Sequence, residues 1–201
     1  MGQIKTVLFD LGNVLAFIDF NEFWRSLGFL RPEEIAPFAD GYKSWTHQYE
    51  IGIVSTSEYL AGLQSVFGHR FYTEQLEQAF ANIMREPVDG MIDVVNRVSR
   101  TRRTALVSNT NEIHYKISLE NFDVLSILHK HYLSYKMHVM KPAYGFYGAI
   151  IKDQKIDPSE MLLIDDLIIN VEGAQVAGMQ AVKFENLTQL KEILITLGVF
   201  D

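Results

Sequence analysis

Five short runs of the chain are apolar with little polar alternation: Ile4–Asp10, Thr104–Ser108, Tyr132–Tyr135, Met161–Asp165 and Ala181–Phe184. A strand with one wet face alternates apolar and polar residues, whereas a strand covered on both faces does not. The five runs therefore predict a parallel sheet buried between helices. Helical patterns lie between them. Val88–Arg100 carries Met91, Ile92, Val94, Val95 and Val98, and Tyr144–Gln154 carries Tyr147, Ile150 and Ile151. Ile168–Ala177 and Thr188–Leu197 each stop before a glycine, Gly178 and Gly198, the residue that most readily closes a helix in the left-handed conformation. Strands alternating with helices define the α/β class.

The interval from Phe17 to Pro87 breaks that rhythm. No convincing strand is found in it, and its pattern predicts four or five helices. Ser55 and Glu58 form a capping box before Tyr59, Leu60, Leu63, Val66 and Phe67. Thr73 is placed to cap a helix carrying Leu76, Ala79, Phe80 and Ile83. The interval is expected to be a helical insertion between the first strand and the rest of the sheet.

Composition narrows the partners. The chain has 201 residues, 48% hydrophobic and 21% charged, enough for a substantial core without a disulfide or structural metal. It has no cysteine, which excludes a thiolate zinc site and a cysteine nucleophile and fits the cytoplasm, the expected location. A formal charge of −7 with no long basic run argues against nucleic acid. No membrane span is expected, because Asp10 and Asn13 interrupt the first apolar stretch. The start Met1-Gly2-Gln3-Ile4-Lys5-Thr6 matches the bare myristoylation pattern, but a buried strand over residues 4–9 would leave little tether for an anchor.

Candidate chemistry gathers where strands end. The first run ends at Asp10, followed by Leu11-Gly12-Asn13; the second at Ser108-Asn109-Thr110-Asn111; the fourth at Asp165-Asp166. Ligands of open parallel sheets bind beyond the carboxyl ends of the strands, so all three clusters project toward one crevice. Lys141-Pro142 follows the third run. Three carboxylates packed together need a cation, and oxygen ligands without His or Cys suit magnesium. A cation, a lysine and Ser/Asn donors make a site for a dianion such as a phosphoryl group. A carboxylate beside the metal can act as nucleophile.

These residues resemble the four ordered motifs of the haloacid dehalogenase superfamily: Phe9-Asp10-Leu11-Gly12-Asn13-Val14, Ser108-Asn109, Lys141-Pro142, and Asp165-Asp166 with Asn170. The likeness is nearest to small-sugar phosphatases and the phosphatase domain of soluble epoxide hydrolase. It implies a Rossmann-like catalytic core over residues 1–16 and 88–201, a helical cap over 17–87, and the Asp10 strand lying between the Ser108 and Asp165 strands. It also implies a role for each residue. Asp10 would attack phosphorus and form an aspartyl-phosphate. Asp10, the Gly12 carbonyl, Asp165 and Asp166 would hold Mg2+. Ser108, the Asn109 backbone and Lys141 would bind the phosphate, with Lys141 also neutralising the nucleophile. Asn170 would orient the acidic loop. The implied reaction is hydrolysis of a small, sugar-phosphate-like phosphomonoester.

Gly12 departs from the pattern, because most phosphatases of the family carry a second Asp two residues after the nucleophile as general acid and base. Glycine moves no proton, and such help is worth roughly 100- to 10,000-fold. His47, Tyr49 and Glu50, in a polar stretch before Gly52, are candidates to replace it. Two other readings stay open: a haloacid dehalogenase, against which Asp165-Asp166 argues by repelling a carboxylate substrate, and a binding protein that lost turnover through Gly12. His114, His129, His131 and His138 lack metal-ligand spacing, and Trp24, Phe29, Trp45 and Tyr59 are expected in the core of the insertion. Oligomeric state is left open.

Overall fold

The computed structural model describes residues 3–200; Met1 and Gly2 of the myristoylation pattern lie outside them. The chain enters the sheet at once through β1 (Thr6–Phe9), and β2 (Ala16–Ile18) leads away from it. Four helices follow: α1 (Asn21–Ser26), α2 (Pro32–Glu50), α3 (Thr56–Val66) and α4 (Thr73–Ala81). The return runs through β3 (Met84–Pro87) to α5 (Met91–Ser99), β4 (Arg103–Ser108), α6 (Glu112–Asn121) and α7 (Val124–Ile127). Then come β5 (Lys130–Leu133), α8 (Ser134–Met137), α9 (Tyr144–Gln154), β6 (Met161–Asp165), α10 (Ile168–Val176), β7 (Gln180–Lys183) and α11 (Leu187–Thr196).

The five long-range strands form one parallel sheet in the order β5-β4-β1-β6-β7. Side chains alternate across a strand, so the unbroken apolar runs supply both faces. Val7, Phe9, Leu106, Leu162 and Ile164 face Met91, Val94 and Val98 of α5 and Leu190 and Leu194 of α11. Leu8, Ala105, Val107 and Leu163 face Phe146, Tyr147 and Ile150 of α9 and Ala174 of α10. Each fully buried Leu, Ile or Phe contributes roughly 2 kcal/mol relative to exposure. As expected, β1 lies between β4 and β6.

Helices α1 to α4 bury a second core against one another, built on rings. Phe23 stacks on Tyr42 with centroids 4.5 Å apart, and Tyr49 on Tyr59 at 4.5 Å. Trp24, Phe29 and Tyr59 are buried in this core and Trp45 packs on it. Ile113 of α6 belongs to the same cluster, so the helical layer is seated on the first turn of α6.

Three expectations are corrected. The interval contains strand after all: β2 pairs antiparallel with β3, Ala16 opposite Pro87 and Ile18 opposite Met84. Such short, half-exposed segments lack the apolar run that marks a buried strand. Thr73 is the first residue of α4 rather than its cap; the cap position is Tyr72, whose backbone N–H donates to Gln75 Oε1 at 2.9 Å. The predicted strand Tyr132–Tyr135 is shifted to Lys130–Leu133, because Ser134–Met137 turns into α8. The Ser55–Glu58 capping box forms, with the Ser55 N–H donating to Glu58 Oε2 at 2.8 Å and the Glu58 N–H to Ser55 Oγ at 3.3 Å. Among the described residues no helix is long and apolar enough to cross a membrane.

Candidate active site

The strand order reverses at β1: the chain steps from it to β4 and β5 on one side and to β6 and β7 on the other. A crevice opens at such a point. Asp10 follows β1 directly, and its N–H donates to Ile164 O at 3.0 Å, which extends the ladder by one residue. Asp165 ends β6 and Ser108 ends β4. The sheet register thus sets all three side by side.

Lys141 holds the cluster together. Its Nζ lies 2.8 Å from Asp10 Oδ1 and 2.6 Å from Asp165 Oδ2, and donates to Val107 O at 3.0 Å. The lysine is almost completely buried. Burial alone would lower its pKa, but the charges of Asp10 and Asp165, with their hydrogen bonds, outweigh it and hold the ammonium above its ordinary value. One cation facing two carboxylates leaves a negative charge uncompensated. Burial is accordingly the main cause that pushes Asp10 up to about 7; Lys141 opposes the shift and Asp165 adds to it. Oxygens of Asp10, Asp165 and Asp166 all lie within 4.8 Å of one another.

The acidic loop is fixed by amides. Asp165 Oδ1 accepts from the Leu167 N–H at 3.0 Å and from Asn170 Nδ2 at 2.9 Å. Asp165 is fully buried, and with Lys141 on its other oxygen it is a fixed point. Asp166 is partly exposed, and its Oδ2 accepts from Asn13 Nδ2 at 3.0 Å. Asn13 adopts the left-handed conformation, φ 54°, which Asn tolerates better than most residues. Ser108 is buried, yet among the described residues its hydroxyl has no hydrogen-bond partner, so a donor is left free in the crevice.

Every predicted core-site residue is brought to this crevice: Asp10, Gly12, Ser108, Asn109, Lys141, Asp165, Asp166 and Asn170. Two positioning interactions were not foreseen. The Asn109 side chain clamps the backbone of Lys141, accepting from its N–H at 2.8 Å and donating to its carbonyl at 2.9 Å. Asn13 tethers Asp166. Both partners are remote in sequence, and no local pattern announces either pair. At Gly12 a Cβ would lie 2.9 Å from Ile18 Cδ1: the methyl end of Ile18 fills the place of the missing side chain. The glycine is outside the left-handed region, so sterics there come from a flexible side-chain tip. Of the histidines, His114 is structural. It stacks on Phe80 at 4.2 Å with Nε2 2.8 Å from Phe80 O, and burial lowers it to about 4.

Residues 4–178 match the family described as haloacid dehalogenase-like hydrolase, and the chain belongs to it. It is 26% identical over 192 residues to a D-ribitol-5-phosphate phosphatase of Bacteroides thetaiotaomicron, covering 92% of this chain and 93% of that protein. A haloacid dehalogenase family enzyme of the same organism, crystallised with magnesium and inorganic phosphate, is 27% identical with a TM-score of 0.81 over 93% of this chain and 98% of that one. An L-2-haloacid dehalogenase of Xanthobacter autotrophicus, with chloropropionic acid covalently bound, superposes with a TM-score of 0.65 over 96% of this chain and 83% of that one; at 15% identity it shows the fold alone.

Proposed function

We propose that the chain is a magnesium-dependent phosphatase of small, sugar- or polyol-type phosphomonoesters, acting through an aspartyl-phosphate on Asp10. The observation that carries this reading is the carboxylate triad, two of whose members are bridged by one buried lysine, next to an unused serine hydroxyl. The triad has more negative charge than Lys141 neutralises and offers only oxygen ligands, which suits a hard divalent cation. Asp10, the Gly12 carbonyl, Asp165 and Asp166 would hold Mg2+, which when bound would neutralise phosphate charge. The relatives that carry a phosphatase name or a magnesium–phosphate pair support this assignment over dehalogenation.

Each side chain then has one task. The Asp10 oxygen attacks phosphorus as the ester P–O bond breaks. Ser108, the Asn109 backbone and Lys141 hold phosphate oxygens, and Asn170 keeps Asp165 in register. Residues 1–16 and 88–201 form the catalytic core and residues 17–87 the cap, with the β2–β3 ribbon as the join. A helical cap over the crevice selects substrates small enough to be enclosed. The cysteine-free sequence fits a reducing cytoplasm. The test is phosphate release from sugar, polyol and aryl phosphates with magnesium and with excess chelator. Magnesium-dependent release from at least one class is expected. Full turnover in chelator overturns the metal assignment, and no release from any class leaves the reading of a binding protein.

A further inference from the structure

The three carboxylates of the site are not held equally. Asp165 is fixed at both oxygens: Lys141 Nζ lies 2.6 Å from Oδ2, and the Leu167 N–H and Asn170 Nδ2 donate to Oδ1. Asp10 has Lys141 Nζ at 2.8 Å. Asp166 is partly exposed and has no ion pair among the described residues. Its one side-chain hydrogen bond there comes from Asn13 Nδ2, 3.0 Å from Oδ2. A single amide therefore decides where the outermost carboxylate of the triad stands.

That amide is placed by the chain that leads to the helical layer. The Asn13 N–H donates to Ala16 O at 2.7 Å, which closes a tight turn into β2. Asn13 Oδ1 accepts from the Ile18 N–H at 3.4 Å, on the strand that pairs with β3. The two polar ends of one side chain thus reach β2 on one side and a residue 153 positions away on the other. The backbone alone does not call for asparagine. At φ 54° glycine is free of strain and asparagine is not, so a turn that needed only its shape would be served best by glycine. An amide also suits a metal ligand. A cationic partner would neutralise Asp166 and compete with a metal, whereas a neutral N–H orients the carboxylate and leaves its charge in place. Asp166 Oδ1 meets no donor among the described residues and is left for the cation.

We propose that Asn13 is a positioning residue of the metal site: it holds Asp166 ready for magnesium and, through the Ile18 N–H, ties occupancy of that site to β2. The inference rests on the magnesium reading above. Such coupling is reciprocal. A cation that steadies Asp166 steadies Asn13 and with it the start of the ribbon, and a displaced β2 loosens Asp166.

The test reads metal binding and backbone protection directly. Asn13→Gly removes both side-chain bonds and suits the left-handed backbone, so its melting temperature without metal should equal or exceed that of the parent. Magnesium titrated calorimetrically into the metal-free protein should bind this variant about 10- to 100-fold more weakly. Asn13→Ala removes the amide without loosening the chain and should lose affinity to the same degree. In the parent, saturating magnesium should slow hydrogen exchange at the Ile18 N–H; in Asn13→Gly it should leave that exchange unchanged. Parent-like magnesium affinity in either variant, or an Ile18 N–H that is indifferent to magnesium in the parent, overturns the proposal. A parent protein that binds no magnesium overturns the metal reading instead, so the two failures are distinct.

Discussion

The site depends on which groups are held and which are free. Asp10 is buried, and Asp10→Asn keeps the shape of its side chain while Asp165 still pairs with Lys141, so the fold should survive. Turnover should fall by far more than tenfold, since tenfold is only about 1.4 kcal/mol of barrier; retention of a tenth of the rate would point to another nucleophile. Asn109→Ala removes both bonds to the Lys141 backbone. A misplacement of about 1 Å can cost on the order of 100-fold, so kcat should drop by that order while circular dichroism is unchanged. These two cases show where the sequence was legible. Asp10 and the acidic pair stand at strand ends and Lys141 follows α8, in a recognisable order, and the sheet register brings the aspartates together. The Asn109 clamp and the Asn13 tether depend on backbone paths across 32 and 153 residues, which no local spacing encodes.

Among the elements, the sheet was legible because its strands are covered on both faces and so read as unbroken apolar runs. β2 and β3 were not, since their burial is mixed and β3 is mostly exposed. The slip at β5 has a similar origin: Tyr132, Leu133 and Tyr135 form an apolar run that spans the end of one strand and the start of α8. The loop between α2 and α3 makes its own prediction. Gly52 has positive φ and no room for a methyl group against Tyr135 O, so Gly52→Ala must move backbone against backbone. It should destabilise the protein by roughly 1–3 kcal/mol, read as a lower urea midpoint.

On the scale of the molecule, the aromatic core of α1–α4 meets the sheet domain at α6. His114 is the joint: its ring stacks on Phe80 and its Nδ1 lies 3.1 Å from Asn111 Nδ2. Its pKa is lowered by burial from 6.5 to about 4, so between those values the unfolded chain binds a proton that the folded one refuses. The stability held at neutral pH is therefore lost as pH falls through this window, by up to about 3 kcal/mol. His114→Gln should flatten the fall in urea midpoint between pH 7 and pH 4.5. An unchanged slope would mean that other groups set the acid limit.

The two connections to the helical layer are bonded to each other. Beyond the pairing of β2 with β3, the Val88 N–H donates to Leu15 O at 2.9 Å and the Asp19 N–H to Ile83 O at 2.9 Å. Two independent tethers would let the layer swivel; a bonded ribbon confines it to rocking about one hinge axis. Away from the ribbon, the Ser134 hydroxyl lies 2.6 Å from Glu50 O and 2.9 Å from Thr110 O, linking the end of α2 to the sheet domain. Ser134→Ala should weaken that link without touching the ribbon, so hydrogen exchange should quicken at the Ile113 N–H, which donates to the Tyr49 hydroxyl at 3.2 Å, and leave the ribbon amides as slow as before. Equal acceleration in both places would mean that the layer comes off by local unfolding instead of swinging as a rigid door.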